Sequence, residues 1–125
     1  MIRILIAEDD PAVATMLEMT FALEGYTTEV VTDGAAAVDR LAGAPVDVVV
    51  LDVMMPGVDG LEVLRRLRGD AAWDGTRVIV STALASDADV WAGWSAGADY
   101  YLTKPFDLDH LREVVSRMAL GVPVT

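Results

Sequence analysis

The stretch Val48-Val49-Val50-Leu51-Asp52 is an unbroken apolar run that ends in a carboxylate. Such runs, rich in β-branched residues, are typical of strands buried on both faces of a parallel sheet. Three other runs have the same form: Ile4-Leu5-Ile6-Ala7 before Glu8-Asp9-Asp10, Val78-Ile79-Val80 before Ser81-Thr82, and Tyr100-Tyr101-Leu102-Thr103 before Lys104-Pro105. The pattern predicts parallel strands whose carboxyl ends gather acids, hydroxyls and an ammonium at one sheet edge, where open α/β sheets bind ligands.

Amphipathic stretches alternate with apolar runs, which gives five β–α units in all. The strands are expected near residues 2–7, 27–31, 47–51, 77–81 and 100–102, and the helices near 11–24, 34–43, 60–68, 87–96 and 108–118. Asp10-Pro11 is an N-cap followed by Pro at the first helical position. Trp91 and Trp94 are interpreted as core or interface residues. Repeated β–α units with short loops predict an α/β fold with a doubly wound parallel sheet.

The bulk composition predicts one domain over residues 1–120, with 121–125 as a C-terminal tail or the start of a linker. The 125-residue chain carries 20 acidic and 9 basic residues, for a net charge of −11. This balance disfavours direct binding to nucleic acid or to an anionic membrane surface. No apolar run approaches the roughly 18 residues of a membrane span, so we expect a cytoplasmic location. The absence of cysteine excludes disulfides and thiolate chemistry.

Asp52 is the central candidate for chemistry. A carboxylate can act as a covalent nucleophile toward phosphorus, although an Asp that caps a loop is the ordinary alternative. Glu8 and Asp9 end the first strand and supply the hard oxygen atoms that Mg²⁺ prefers, with a solvated acid and a helix cap as their ordinary alternatives. Three neighbouring acids raise one another's pKa unless a cation cancels the charge. The pattern therefore predicts a Mg²⁺ site at Glu8, Asp9 and Asp52. Asp10 is expected to cap the first helix and not to bind the ion.

The ends of the fourth and fifth strands supply groups that can bind a phosphoryl oxygen. Thr82 offers a hydroxyl, or is simply a β-branched strand residue. Lys104 can pair with Asp52 and then with a phosphate, or it is a surface lysine; it is the only lysine in the chain. Tyr101 is interpreted as a half-buried aromatic or as a ring that rotates between buried and exposed positions. Taken together, the four strand ends predict a cation-dependent phosphoryl site.

With these residues in these positions, the chain resembles the receiver domain of bacterial two-component response regulators. The resemblance covers essentially the whole chain. It rests on Ile4-Leu5-Ile6-Ala7-Glu8-Asp9-Asp10, Leu51-Asp52-Val53-Met54-Met55-Pro56-Gly57-Val58-Asp59-Gly60, Ser81-Thr82-Ala83 and Gly97-Ala98-Asp99-Tyr100-Tyr101-Leu102-Thr103-Lys104-Pro105-Phe106. It implies a flavodoxin-like (βα)5 fold with strand order 2-1-3-4-5.

The resemblance also implies roles for individual residues. Asp52 would accept a phosphoryl group from a phosphohistidine on a sensor histidine kinase or a histidine phosphotransfer protein. Asp9 and Asp52 would bind Mg²⁺ directly, Glu8 through water, and Met54 through its main-chain carbonyl. Thr82 and Lys104 would grip the phosphoryl group, and Thr82 with Tyr101 would form the switch.

The same resemblance implies that phosphorylation remodels the surface of the fourth helix, fifth strand and fifth helix, with a phosphorylation-dependent homodimer as one output. Such a domain is not a conventional enzyme, because it catalyses only its own phosphotransfer and autodephosphorylation. Ser81 departs from the pattern by replacing the usual apolar residue before Thr82.

Three other interpretations stay open. An aspartyl-phosphate phosphatase would need a second Asp two residues after the nucleophile, where this chain has Met54. A flavin-binding module would need a Ser/Thr/Gly-rich loop after the first strand, where this chain has acids. A degenerate receiver would act only as an interaction module, without accepting phosphate.

Overall fold

The computed structural model describes residues 2–121, and within them it contains the five strands and five α-helices that the sequence predicts. The strands are β1 (Arg3–Ala7), β2 (Thr27–Val31), β3 (Val48–Leu51), β4 (Arg77–Thr82) and β5 (Tyr100–Thr103). The helices are α1 (Pro11–Leu23), α2 (Gly34–Arg40), α3 (Gly60–Arg68), α4 (Asp87–Ala96) and α5 (Leu108–Ala119), with a short 3-10 helix at Ala71–Trp73. The expected tail residues 122–125, with Pro123, lie outside the described residues.

The strands form one parallel sheet in the order β2-β1-β3-β4-β5, which confirms the expected flavodoxin-like topology. The register aligns the carboxyl ends of the central strands, because Ala7 of β1 pairs with Leu51 of β3, and Leu51 pairs with Val80 of β4. Residues that follow these strands therefore meet at one edge of the sheet.

Both faces of the sheet are covered by helices. Side chains alternate along each strand, so Ile6 and Val50 pack with α1 and α5, while Ala7 and Leu51 pack with α2 and α3. This double burial explains why the central strands are apolar at successive positions. Among the described helices, none combines the length and the apolarity that crossing a bilayer requires.

Side-chain caps begin all five of the described α-helices. Four of the caps are aspartates, and each accepts a hydrogen bond from a backbone N–H in the first turn, as Ser86 does for α4; the aspartates are Asp10, Asp33, Asp59 and Asp107. Each such cap is worth about 1 kcal/mol relative to alanine. The expected role of Asp10 is thus confirmed, and part of the acidic excess serves helix initiation.

Several element boundaries differ from the sequence prediction. β3 begins at Val48, one residue later than expected, although the backbone of Asp47 already bonds to Arg3 and Arg77 at 3.0 Å each. α2 ends at Arg40, because the N–H groups of the next three residues bond to carbonyls three residues back, which is a tighter turn than the α-helix. β4 and β5 each extend one residue further than expected, and their last residues pair with each other.

The two tryptophans of α4 are not core residues. Trp91 is 73% exposed and Trp94 is 44% exposed. The core role belongs instead to Trp73, which is fully buried and donates its indole N–H to the carbonyl of Leu41 at 3.0 Å. Of the two expected roles for the α4 pair, the core position was therefore wrong, and the interface position stays a prediction.

Candidate functional site

The sheet fixes the backbone of the site residues that follow the strands. Glu8 donates its backbone N–H to Val31 of β2 at 3.0 Å, and Asp52 donates to Ala7 of β1 at 2.9 Å. Lys104 donates to the carbonyl of Thr82 at 2.7 Å. Each residue therefore extends the parallel ladder by one hydrogen bond, and its side chain starts from a rigid position.

Lys104 joins two buried carboxylates. Its ammonium donates to Asp52 Oδ2 at 2.9 Å and also forms a close ion pair with Glu8 Oε1. Glu8 and Asp52 are only 3% and 6% exposed. The sequence predicted the pairing of Lys104 with Asp52, and the structure adds Glu8 as its second partner.

The remaining carboxylate oxygens are held by backbone groups. Asp52 Oδ1 accepts the N–H of Met54 at 2.8 Å, and Glu8 Oε2 accepts the N–H of Asp10 at 3.1 Å. The carboxylate of Asp9, the third acid of the cluster, is exposed to solvent. Backbone groups therefore hold the two buried carboxylates in place, while the third acid faces solvent.

Burial and charge shift two ionisable groups of the pocket. Burial raises the pKa of Glu8, and the nearby charge of Asp52 adds to this, while hydrogen bonds from Lys104 and from the N–H of Asp10 act in the opposite direction. Burial alone would lower the pKa of Lys104, but its hydrogen bonds to Glu8 and Asp52 outweigh burial and raise it. Lys104 is therefore held in its charged form.

The donor set fits a hard divalent cation. Glu8, Asp9 and Asp52 each present a carboxylate oxygen, and these oxygens lie within 4.8 Å of one another. Three carboxylates face a single ammonium, so negative charge remains in excess. Mg²⁺ binds through one or two carboxylates and keeps several waters, which suits a site with one solvent-exposed ligand.

Thr82 and Tyr101 are brought together through Leu84. The Thr82 side chain is completely buried, and its Oγ1 accepts the N–H of Leu84 at 3.4 Å. The half-buried Tyr101 donates its hydroxyl to the carbonyl of Leu84 at 2.8 Å. Burial raises the pKa of the Tyr101 phenol, and the negative charges of Asp89 and Asp52 add to the effect.

Three further features lie at the site, and the sequence pointed to Ser81 but not to the close approach at Gly60. A Cβ on Gly60 would lie 2.3 Å from Val53 Cα, so α3 packs directly against the loop that follows Asp52. The buried hydroxyl of Ser81 has no hydrogen-bond partner among residues 2–121. The Lys104–Pro105 peptide bond is cis. The Asp59-Gly60 pair, a cap followed by glycine, was the available signal for the first feature.

The fold and the pocket define a class: a doubly wound α/β protein with a lysine–carboxylate pocket at its strand ends. A family model described as the response regulator receiver domain matches residues 4–116, and the chain belongs to this family.

Relatives agree with this assignment. The transcriptional regulatory protein TcrA of Mycobacterium tuberculosis is 47% identical over 110 residues, which cover 88% of this chain and 43% of TcrA. The chain thus spans less than half the length of that relative.

Solved structures give the same result. The receiver domain of the Francisella response regulator 1452 superposes with a TM-score of 0.89 at 35% identity, covering 97% of this chain and 98% of that one. The response regulator TrrA of Thermotoga maritima, solved in complex with Mg²⁺-BeF, superposes with a TM-score of 0.82 at 31% identity, covering 94% of this chain and 99% of TrrA.

Proposed function

We propose that this chain is a phosphorylation-activated switch in which Asp52 accepts a phosphoryl group. The donor would be a phosphohistidine on a sensor histidine kinase or a histidine phosphotransfer protein. The observation that carries the proposal is the pocket itself, in which a buried Asp52 contacts the ammonium of Lys104 beside two further acids. A buried carboxylate that an ammonium and a backbone N–H hold in place is suited to nucleophilic attack.

The residues that would hold Mg²⁺ are Asp9 and Asp52 through their carboxylates, Met54 through its main-chain carbonyl and Glu8 through water. The cluster of carboxylate oxygens and its excess negative charge support this assignment, as does the Mg²⁺-BeF complex of TrrA. When bound, Mg²⁺ supplies neutralisation of the negative charge on the phosphoryl oxygens.

In the proposed transfer, one carboxylate oxygen of Asp52 attacks the phosphorus atom. The bond between phosphorus and the histidine nitrogen breaks, and the imidazole leaves with the electron pair and takes up a proton from solvent. The product is an acyl phosphate with about two negative charges near neutral pH. Lys104 already lies at Asp52, so its ammonium needs only a short movement to pair with a phosphoryl oxygen.

Thr82 and Tyr101 would pass the change on to the surface. A phosphoryl oxygen that accepts a hydrogen bond from Thr82 would draw the hydroxyl away from Leu84, to which Tyr101 is also bonded. The α4–β5–α5 surface would then present a different face to its partner, with homodimerisation as one outcome. Phosphorylation produces such a shift only if the active conformation binds the phosphoryl group more tightly.

We place this activity in a domain of residues 1–120 in the cytoplasm, without direct contact to nucleic acid or membrane. A phosphatase would need an acid or base two residues after Asp52, and the Met54 side chain has no proton to exchange. A degenerate receiver would not need the full set of Glu8, Asp9, Asp52 and Lys104.

Beryllofluoride, a mimic of the phosphoryl group, provides the test. Tryptophan fluorescence and light scattering are measured with Mg²⁺ and beryllofluoride on the wild type and on Asp52→Asn. We expect a saturable, Mg²⁺-dependent change in the wild type that the variant lacks. Incubation with acetyl phosphate, followed by intact-mass measurement, provides an independent readout. If the wild type gains no phosphoryl group and shows no saturable response, the proposed function is wrong.

A further inference from the structure

The Tyr101 ring lies against the middle of α4. Its hydroxyl is anchored on the carbonyl of Leu84, and its ring is partly buried against the core on the α3 side of the sheet. The residue of α4 that faces the ring is Gly93, which is buried. A Cβ placed on Gly93 would lie 2.7 Å from both Cδ2 and Cε2 of Tyr101. The ring therefore occupies the space that a side chain at position 93 would take.

Glycine is an unfavourable choice at this position. Gly93 lies inside α4 (Asp87–Ala96), has an ordinary negative φ, and ends no helix. Glycine in a helix interior lowers the folding equilibrium constant by roughly two- to fivefold relative to alanine. Backbone geometry does not require this glycine, so the nearby ring is the structural reason for it.

We propose that Gly93 is a positioning residue for the switch: the notch it leaves in α4 admits the Tyr101 ring, and residue 93 thereby sets how strongly the phosphoacceptor pocket is coupled to α4. The second half of this inference rests on the proposed function. The described contacts form a continuous path, from Thr82 to Leu84, from Leu84 to the Tyr101 hydroxyl, and from the ring to Gly93.

A methyl group at position 93 would penalise every conformation that has the Tyr101 ring in the notch, and the unphosphorylated protein can relieve this penalty by moving the ring out. If the phosphorylated conformation requires the ring in the notch, that penalty must weaken binding of the phosphoryl group or its mimic. The Asp52 pocket itself would be untouched, because α4 contributes none of its ligating oxygens. The effect would thus be transmitted rather than direct.

A double-mutant cycle tests the notch. Gly93→Ala, Tyr101→Ala and the double variant are unfolded in urea, with Gly75→Ala as the matched control, because a Cβ on Gly75 meets nothing within 4 Å. With Tyr101 removed, we expect Gly93→Ala to stabilise by roughly two- to fivefold through helix propensity. With Tyr101 present, that gain should be lost, giving a coupling of at least about two- to fivefold in the unfolding equilibrium constant.

The ring itself can be observed by fluorine NMR of fluorotyrosine-labelled protein. The chain has three tyrosines, and the resonance missing from Tyr101→Ala identifies the one of interest. Gly93→Ala should shift this resonance, and Gly75→Ala should not. If Gly93→Ala fails to fold, a folded double variant supports the notch, and a double variant that also fails to fold overturns it. Additive effects in the cycle overturn it as well.

Beryllofluoride binding tests the coupling. With Mg²⁺ present, we expect the apparent affinity of Gly93→Ala to fall by about fivefold or more, within the usual range for allosteric coupling, and that of Gly75→Ala to match the wild type. Unchanged affinity in Gly93→Ala, beside a wild type that responds, overturns the coupling. A wild type that does not respond to beryllofluoride refutes both the proposed function and the coupling. The double-mutant cycle then decides by itself whether Gly93 positions the Tyr101 ring.

Discussion

Replacing Lys104 with methionine would remove the positive charge from the centre of the pocket while keeping an unbranched side chain of similar length. Lys104 is the ion-pair partner of both Glu8 and Asp52, and these carboxylates are 3% and 6% exposed. The substitution therefore leaves two buried negative charges side by side. We expect a large loss of stability in the absence of Mg²⁺.

The magnitude follows from the burial of the partners. Removing one member of a buried ion pair costs about 3–5 kcal/mol, because the remaining charge is left uncompensated. The Lys104 side chain is 21% exposed, so solvent screens part of its interaction. We therefore expect a loss of about 2–3 kcal/mol near pH 7, which is a large fraction of the roughly 5–15 kcal/mol that stabilises a domain.

The loss should depend on pH with a definite sign. The pKa of Glu8 is raised above 4.5 in the folded state, so protonation of Glu8 stabilises the fold, and this contribution is lost as pH rises through the folded-state value. Removing Lys104 removes interactions that lower the pKa of Glu8, so that pKa should rise further. The penalty of Lys104→Met should therefore shrink as pH falls through the raised pKa of Glu8 in the variant. At the alkaline end, the wild-type advantage should persist to above 10.5 and fade as pH rises through the raised pKa of Lys104.

Urea denaturation at several pH values, in EDTA, measures these differences. The matched control is Arg112→Met, which removes a cation from the exposed ion pairs with Glu24 and Asp109 and should change stability little at any pH. Equal stability of Lys104→Met and the wild type near pH 7 would refute the reasoning. A penalty that grows on acidification would refute the assigned role of Glu8.

Three further predictions concern other contacts. Gly60→Ala should lower the free energy of unfolding by about 3 kcal/mol, measured by thermal denaturation, because the new Cβ would lie 2.3 Å from the backbone of Val53. A loss under about 0.5 kcal/mol would contradict this close approach. Arg68→Lys should lose about 2 kcal/mol in urea, since the Arg68 guanidinium donates to two carbonyls and one carboxylate that an ammonium cannot reach together, and wild-type stability would contradict that estimate. Mg²⁺ at a hundredfold excess over its Kd should stabilise the wild type by about 2.7 kcal/mol. Asp9→Asn should gain clearly less at the same concentration, and Asp74→Asn, a change in an exposed acid, should gain as much as the wild type.

The strand ends show how far sequence reasoning reached. Apolar runs that end in Glu8, Asp52, Thr82 and Lys104 predicted a shared sheet edge, because parallel strands present their carboxyl ends together. The structure confirms the edge and the contact between Lys104 and Asp52. The roles of these residues in phosphotransfer stay predictions until they are tested.

Tertiary contacts account for what the sequence did not predict. Residue spacing did not show that the tryptophans of α4 are exposed and that Trp73 is buried. Spacing places a side chain on one face of a helix, but it does not show whether another element covers that face. Nor could spacing show that Lys104 also pairs with Glu8, which is 96 residues away in the chain. The same holds for Leu84, whose two backbone groups join Thr82 to Tyr101.

The sequence by itself determined the order of the elements, the doubly wound parallel sheet and the set of polar residues at its edge, because burial patterns and chain connectivity are local properties. Only the tertiary structure decided which atoms meet: the second partner of Lys104, the packing of Gly60 on Val53, and the notch at Gly93 that receives the Tyr101 ring. These contacts depend on distances between elements far apart in the chain, and such distances are set by how the whole core packs.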